Sequence, residues 1–191
     1  MPGKLLGACQ QSRAVQSFDL ATKMATTLAS EFEGELLDTP NDLIVHTNGA
    51  IYFTNRTAEI DGRPVGFGPA VFWIDPQGTL KLIDKGDGNG IALSPDERTL
   101  YVNNLGSWPL DENGVPGAKA AKLVDGDGLA VDCAGNLYQS GGQIKSAQGE
   151  NIGNFPGGTN MAFGGPDGKT LFVVSGGSNV RALHMNVPGM P

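Results

Sequence analysis

The chain has 191 residues, among them 29 glycines and 12 prolines, a density of turn formers that suits many short strands better than long helices. Lys and Arg total 13 against 20 Asp and Glu, a net charge of −7, which argues against the clustered positive surface that nucleic acids and anionic membranes require. No apolar run approaches the ~18 residues of a membrane-spanning helix, and the opening MPGKLLGACQ lacks an apolar signal region, so a cytoplasmic location is expected, or a periplasmic or secreted one if upstream residues are missing.

Taken in chain order, GKLLGAC (residues 3–9) reads as a strand of a unit whose first strand lies outside the chain, and AVQSFDLATKMATTLA (14–29) reads as further outer strands. NDLIVHTNGAIYFT (41–54) is the first of four related segments, followed by NGIALSPDERTLYV (89–102), DGLAVDCAGNLYQ (127–139) and TNMAFGGPDGKTLFVV (159–174). Each opens with a short polar pair, continues with alternating apolar residues, and turns at Asn48-Gly49, Pro95-Asp96-Glu97, Ala134-Gly135 or Pro166-Asp167-Gly168. A second apolar strand carrying Tyr52, Tyr101, Tyr138 or Phe172 closes each one. Apolar alternation around such turns predicts antiparallel hairpins. AVFWIDPQGTLKLID (70–84) and GAKAAKLVD (117–125) read as outer strands between the repeats. An all-β repeat every few tens of residues predicts a single β-propeller domain over 1–191, with about four recognisable blades and a partial fifth. A β-sandwich is the alternative. Cys9 and Cys133, with no CxxC and no partner histidine near them, are expected to be buried free thiols.

The polar openings are the candidate site. In a propeller the innermost strand of each blade lines the central channel, so residues preceding these strands stand at its mouth. Asn41, Asn89 and Asp127, with Asn160 as a fourth candidate, could then face one point. Asn and Asp carry the hard oxygen donors that Ca²⁺ and Mg²⁺ prefer, whereas zinc more often recruits His or Cys. The competing reading is that these residues only make tight entry turns.

LLDTPNDLIVHTNGAIYFTN, NGIALSPDERTLYV, DGLAVDCAGNLY, TNMAFGGPDGKTLFVV and the closing MNVPGMP make the chain resemble the gluconolactonase, regucalcin and luciferin-regenerating-enzyme-like family of six-bladed propellers. The resemblance implies a hydrolase that opens sugar lactones or similar small cyclic esters. It implies a divalent metal, Ca²⁺ first with Mg²⁺, Mn²⁺ or Zn²⁺ as alternatives. It implies Asn89 and Asp127 as metal ligands, Asp127 also as general base, and Asn41 facing the metal or the substrate.

Two departures bear on that expectation. The family's metal-binding glutamate of the first blade has no counterpart, because the chain begins inside what resembles the second blade. Six blades of ~40–45 residues also need roughly 240–270 residues. An open propeller would leave strand edges that self-association could cover. The stretches NNLGSWPLDENG (103–114) and YQSGGQIKSAQGENIG (138–153) are short for the family, so incomplete sheets are expected there. A non-catalytic binding module and an inactive remnant are the alternatives to the enzyme.

The remaining candidates carry weaker signals. His46 and His184 are expected to be solvated, and Ser94 lacks a nucleophile context. Asp87 and Asp125 lie in GDGNG and DGDG, fragments of calcium loops without the full spacing. Trp73 reads as strand packing, Trp108 could line a sugar pocket, and Arg56 and Glu59 could touch substrate.

Overall fold

The computed structural model describes residues 3–57, 66–122, 124–176 and 179–190. They form two compact units, Met1–Asn89 and Gly90–Pro191. Every regular element among them is a strand, and no helix among them is long and apolar enough to cross a membrane.

The first unit holds two meanders. Strands β1 (Lys4–Cys9), β2 (Ala14–Asp19) and β3 (Ala25–Ala29) form a three-stranded antiparallel sheet. The short hairpin of β4 (Glu31–Phe32) and β5 (Glu35–Leu36) leads to a four-stranded sheet of β6 (Thr39–Val45), β7 (Ile51–Arg56), β8 (Ala70–Ile74) and β9 (Leu80–Lys85). Val15, Leu37, Ile51, Phe53 and Phe72 build its core. Phe32 and Phe67 pack edge-on at 5.2 Å, and Phe53 stacks on Phe72 at 5.3 Å. β8 is apolar throughout and wholly buried, the signature of a strand covered on both faces.

The second unit continues the pattern. Its sheets are β10 (Ile91–Leu93), β11 (Thr99–Val102) and β12 (Gly106–Pro109); then β13 (Leu129–Val131), β14 (Leu137–Gln139), β15 (Gln143–Lys145) and β16 (Asn151–Asn154); then β17 (Asn160–Gly164), β18 (Thr170–Ser175) and β19 (Asn179–His184). Strand periodicity assigns the middle sheet's residues to two cores. Leu129, Val131 and Leu137 pack with Ala92, Tyr101 and Val124 on one side. Ala130 and Tyr138, the alternate residues, pack with Met161, Leu171 and Val173 on the other.

All four predicted hairpins form. Two outer-strand expectations do not hold. Of GAKAAKLVD, residues 117–122 make only an isolated bridge, Ala120 to Ser107, because small alanines and exposed lysines offer no side chain worth burying; Leu123 lies outside the described residues. The segment 138–153 is not incomplete, since it holds β15 and most of β14 and β16, and the sheet has four strands. The segment 103–114 does end in a three-stranded sheet.

Adjacent sheets of the second unit meet backbone to backbone at their openings. Gly90 N–H donates to the carbonyl of Asp127, and Gly128 N–H to that of Thr159, each at 2.8 Å. A Cβ on Gly90 would stand 2.5 Å from the Asp127 carbonyl oxygen, and one on Gly128 would stand 2.7 Å from the Asn160 Cα. Glycine therefore follows the polar residue because no side chain fits there.

Two predictions follow from this packing and from the turns. Gly90→Ala should cost about 1–3 kcal/mol by overpacking, whereas Gly141→Ala, where an added Cβ meets nothing within 4 Å, should change stability little. Urea unfolding of both variants checks this. Hydrogen bonds from turn amides hold Asp19, Asp75 and Asp167 below the usual carboxylate range, the Ser94 hydroxyl and the Arg98 amide do so for Asp96, and Arg56 does so for Asp87. A depressed folded pKa contributes stability above the unfolded value and loses it as pH falls through the folded one. The unfolding temperature should thus hold from neutrality to about pH 5 and drop below about pH 4, as an acid series of melting curves would record.

Candidate functional site

The sequence places Asn41 and Asp42 ahead of a strand, but they lie inside one. In β6, Pro40 pairs with Asn55 and Leu43 with Phe53, so Asn41 and Asp42 together oppose the single residue Thr54. This is a β-bulge, which interrupts the ladder and re-aims its side chains. The Thr54 hydroxyl secures it by accepting from the Asp42 N–H at 3.2 Å and donating to the Asn89 carbonyl at 2.8 Å. One fully buried threonine thus ties the bulge to Asn89 within the first unit. Asn89 and Asp127 do precede their strands, each followed by the close-contact glycine, and Asn160 is the first residue of β17.

What these side chains bond to separates turn makers from the rest. Asp132, in the β13–β14 turn, spends its carboxylate: Oδ1 accepts from the Ala134 and Asn136 amides, and Oδ2 accepts from Asn136 Nδ2 and from the Tyr138 hydroxyl. Burial first, and Asp132 second, push the Tyr138 pKa upward. Asp75 and Asp111 cap their turns in the same way. By this measure Asp42 and Asn160 are structural, since Oδ1 of each accepts from the next residue's amide, at 2.9 and 2.7 Å.

Asn41, Asn89 and Asp127 behave differently. Among the described residues, none of their side chains makes a hydrogen bond or ion pair, while the backbones of Asn89 and Asp127 are engaged. Asn89 stands out because it is 7% exposed and its side-chain amide has no partner among the described residues. Asn41 is half-buried and Asp127 exposed. Their donors are two amide oxygens and one carboxylate, all hard oxygens that suit Ca²⁺ or Mg²⁺. No group of three or more His, Cys, Asp or Glu gathers among the described residues.

Around Asp127 lie residues that the sequence does not single out. Asn103 and Asn104, at the end of β11, and Ser140, after β14, all direct side chains at the segment 126–128. They sit where the neighbouring repeat carries Asn55, whose buried amide accepts from the Asp38 N–H and donates to the Gly68 carbonyl. The signal is a polar residue just after the aromatic strand of each repeat: Asn55 after IYFT, Asn103 after LYV, Ser140 after LYQ.

Several further expectations need correction. His46 is buried, not solvated, because its Nδ1 accepts from the Asn48 amide and folds the ring into its own turn. Cys133 is an exposed thiol in a turn, with Sγ donating to the Gly189 carbonyl; Cys9 is half-buried, and both are free. Trp108 is core, 2% exposed, and lines no sugar pocket. Trp73 packs within β8 as expected, with the Lys81 ammonium over its ring at 4.6 Å. Arg56 grips Asp87 through two hydrogen bonds of 2.8 and 2.9 Å, so the two candidates satisfy each other. Asp125 pairs with Lys122 at 2.7 Å. The Ser94 hydroxyl donates to Asp96 in its turn, and His184 is exposed on β19. Glu59 lies outside the described residues.

Comparison with known proteins adds four findings. The SMP-30/Gluconolactonase/LRE-like region matches residues 2–177. A gluconolactonase of Zymomonas mobilis is 31% identical over 94% of the chain, which spans 60% of that protein's length. Among solved structures, a gluconolactonase of Xanthomonas campestris superposes with a TM-score of 0.76 at 28% identity, covering 91% of this chain and 66% of that one. A calcium-binding regucalcin of Agrobacterium tumefaciens superposes with a TM-score of 0.71 at 22% identity, covering 99% and 75%, a likeness of fold. These neighbours are propellers, in keeping with the all-β fold expected from the repeat.

The unspent amide leads to a contrast that stability measurements can check. Asn55→Leu removes two buried hydrogen bonds and should cost about 2 kcal/mol or more. Asn89→Leu removes none and should leave stability within about 0.5 kcal/mol of the parent, or raise it. Equal losses in the two variants would show that Asn89 is an ordinary turn residue.

Proposed function

The chain belongs to the SMP-30/gluconolactonase/LRE-like family, and on that footing we propose that it hydrolyses sugar lactones or similar small cyclic esters with the help of a divalent cation. What supports the reading, beyond family membership, is the pair of unspent side chains at Asn89 and Asp127. A turn would use them, as it uses Asp75 and Asp132; a ligand site leaves them open.

Asn89 and Asp127 are the assigned metal ligands, with Asn41 as a further ligand or substrate contact. Ca²⁺ fits this donor set best, and the fold neighbour from A. tumefaciens is itself calcium-binding. When bound, the cation supplies polarisation of the lactone carbonyl and charge stabilisation for the oxyanion that develops on it. Asp127, exposed and unpaired, takes the proton of the attacking water as general base. The Asn41 amide, held by the β6 bulge, orients water or substrate through its donor and acceptor atoms.

The test is lactone hydrolysis followed by base titration over a panel of aldonolactones, beside calcium titration by calorimetry. Asp127→Ala should lower kcat/KM by about three orders of magnitude and abolish saturable calcium binding. Asn41→Ala should lose about tenfold in kcat/KM with calcium binding retained. Wild-type turnover in Asp127→Ala would remove that residue from the mechanism. Calcium binding by the parent chain without turnover of any lactone would replace the enzyme with a binding module.

A further inference from the structure

The segment Gly126-Asp127-Gly128 has an unusual division of labour. Each of its backbone polar groups is engaged. Gly126 N–H donates to Asn104 Oδ1, and Gly126 C=O accepts from Asn104 Nδ2, both at 2.9 Å, so one side-chain amide clasps a whole residue. Asp127 N–H donates to the Ser140 hydroxyl at 2.6 Å. Asp127 C=O accepts from Gly90 N–H and from Asn103 Nδ2, both at 2.8 Å. Gly128 N–H donates to the Thr159 carbonyl, and Gly128 C=O accepts from Ser140 N–H at 3.2 Å and from Asn103 Nδ2 at 3.1 Å. The Asp127 carboxylate, in the middle of this fully bonded backbone, touches no partner among the described residues.

Within this clamp Asn103 is distinct. Its side chain is wholly buried, its Nδ2 bridges two successive carbonyls, and its Oδ1 has no hydrogen-bond partner among the described residues. The unpartnered oxygen forfeits part of what the two donated bonds contribute to stability. The orphan is tolerable where the donor end serves something besides stability.

We propose that Asn103 is a positioning residue for Asp127: by holding the carbonyls of Asp127 and Gly128 from beneath, with Asn104 and Ser140 on the preceding groups, it fixes the backbone from which the free carboxylate projects. The inference rests on the assignment of Asp127 to the chemistry. Asn103 touches neither substrate nor water in this role. A fixed base does not need to be ordered at the moment of reaction, which is where a small misplacement is costly.

The decisive variant is Asn103→Leu, which keeps the shape, removes both donated bonds and also removes the orphaned oxygen. Three quantities are read on the whole chain: kcat and KM for lactone hydrolysis, the urea midpoint, and amide hydrogen exchange by NMR. The expected result is a kcat lower by about tenfold or more, KM within about twofold, and a midpoint near that of the parent. Exchange should accelerate at Gly90, Asp127 and Gly128 while the Val131 and Leu137 amides keep their protection. A merely structural asparagine would give the reverse, a lowered midpoint with kcat intact and exchange faster throughout the unit, and that result overturns the proposal. If Asn103→Leu does not fold, Asn104→Ala, which alters an exposed side chain, must show the same local exchange and kcat loss, and its failure to do so counts equally against the proposal. If the parent chain opens no lactone, the hydrolase reading fails by itself. The exchange pattern then decides alone: selective acceleration at the three amides upholds the clamp, and unchanged or uniform exchange overturns it.

Discussion

The second unit depends on a hydrogen bond that only a glycine can make. Gly90 and Gly128 bring their N–H groups to within 2.8 Å of the carbonyls of Asp127 and Thr159, so that the opening of one sheet rests directly on the opening of the next. No side chain fits between them. Apolar packing between the sheets supplies most of the driving force, through Leu129, Val131 and Leu137 on one side and Ala130 and Tyr138 on the other. Packing alone leaves the lateral registration of two sheets loosely set. A direct backbone bond at the opening fixes it, and with it the place of the polar residue that precedes each glycine.

The polar residues of this chain divide according to whether their hydrogen-bonding capacity is used. Asp75, Asp96, Asp111, Asp132 and Asp167 bond the amides of their own turns. Asp38 does more, accepting from the Gly66 and Gly68 amides and from Arg13, and its ion pair with Arg13 at 2.9 Å is almost fully buried on the aspartate side. Such residues account for the turns without any ligand. Asn41, Asn89 and Asp127 have the same chemical types and contribute nothing of the kind. Function is best sought where hydrogen-bonding capacity is left over from the turns.

The sequence made the fold legible through two regularities, apolar alternation and the Asn-Gly or Pro-Asp turns, both of which are local. It was weaker wherever the outcome depended on a partner strand. The bulge at Asn41 and Asp42 exists because Thr54 alone faces both, and pairing cannot be read from one strand. Residues 117–122 have the length of a strand but no bulky side chain to bury, while 138–153 looked too short and still carries most of three strands, because two tight turns at Gly141-Gly142 and Ala147 to Gly149 take up little chain. Buried His46 escaped for a related reason: a turn residue is usually wet, and this one bonds back into its own turn. At the proposed site, Asn41, Asn89 and Asp127 were singled out by repetition and resemblance. Asn103, Asn104 and Ser140 were not, because a polar dipeptide after a strand reads as the start of a loop, and its bonds to 126–128 span more than twelve residues of sequence.

The orphaned groups and the clamp belong together energetically. A buried Asn103 oxygen without a partner among the described residues costs about 1–3 kcal/mol relative to a satisfied group, a notable share of the 5–15 kcal/mol that a domain has in total. Such costs persist only where the surroundings over-determine the geometry. Here they do: the backbone bonds of residues 126–128 are complete, and Thr54 locks the bulge to the Asn89 carbonyl. Rigid backbone supports are what allow side chains to remain unpaired without the chain rearranging to pair them. The same rigidity is the preorganisation that the proposed ligand site requires of its supports, and in the second unit glycine at the openings is where it begins.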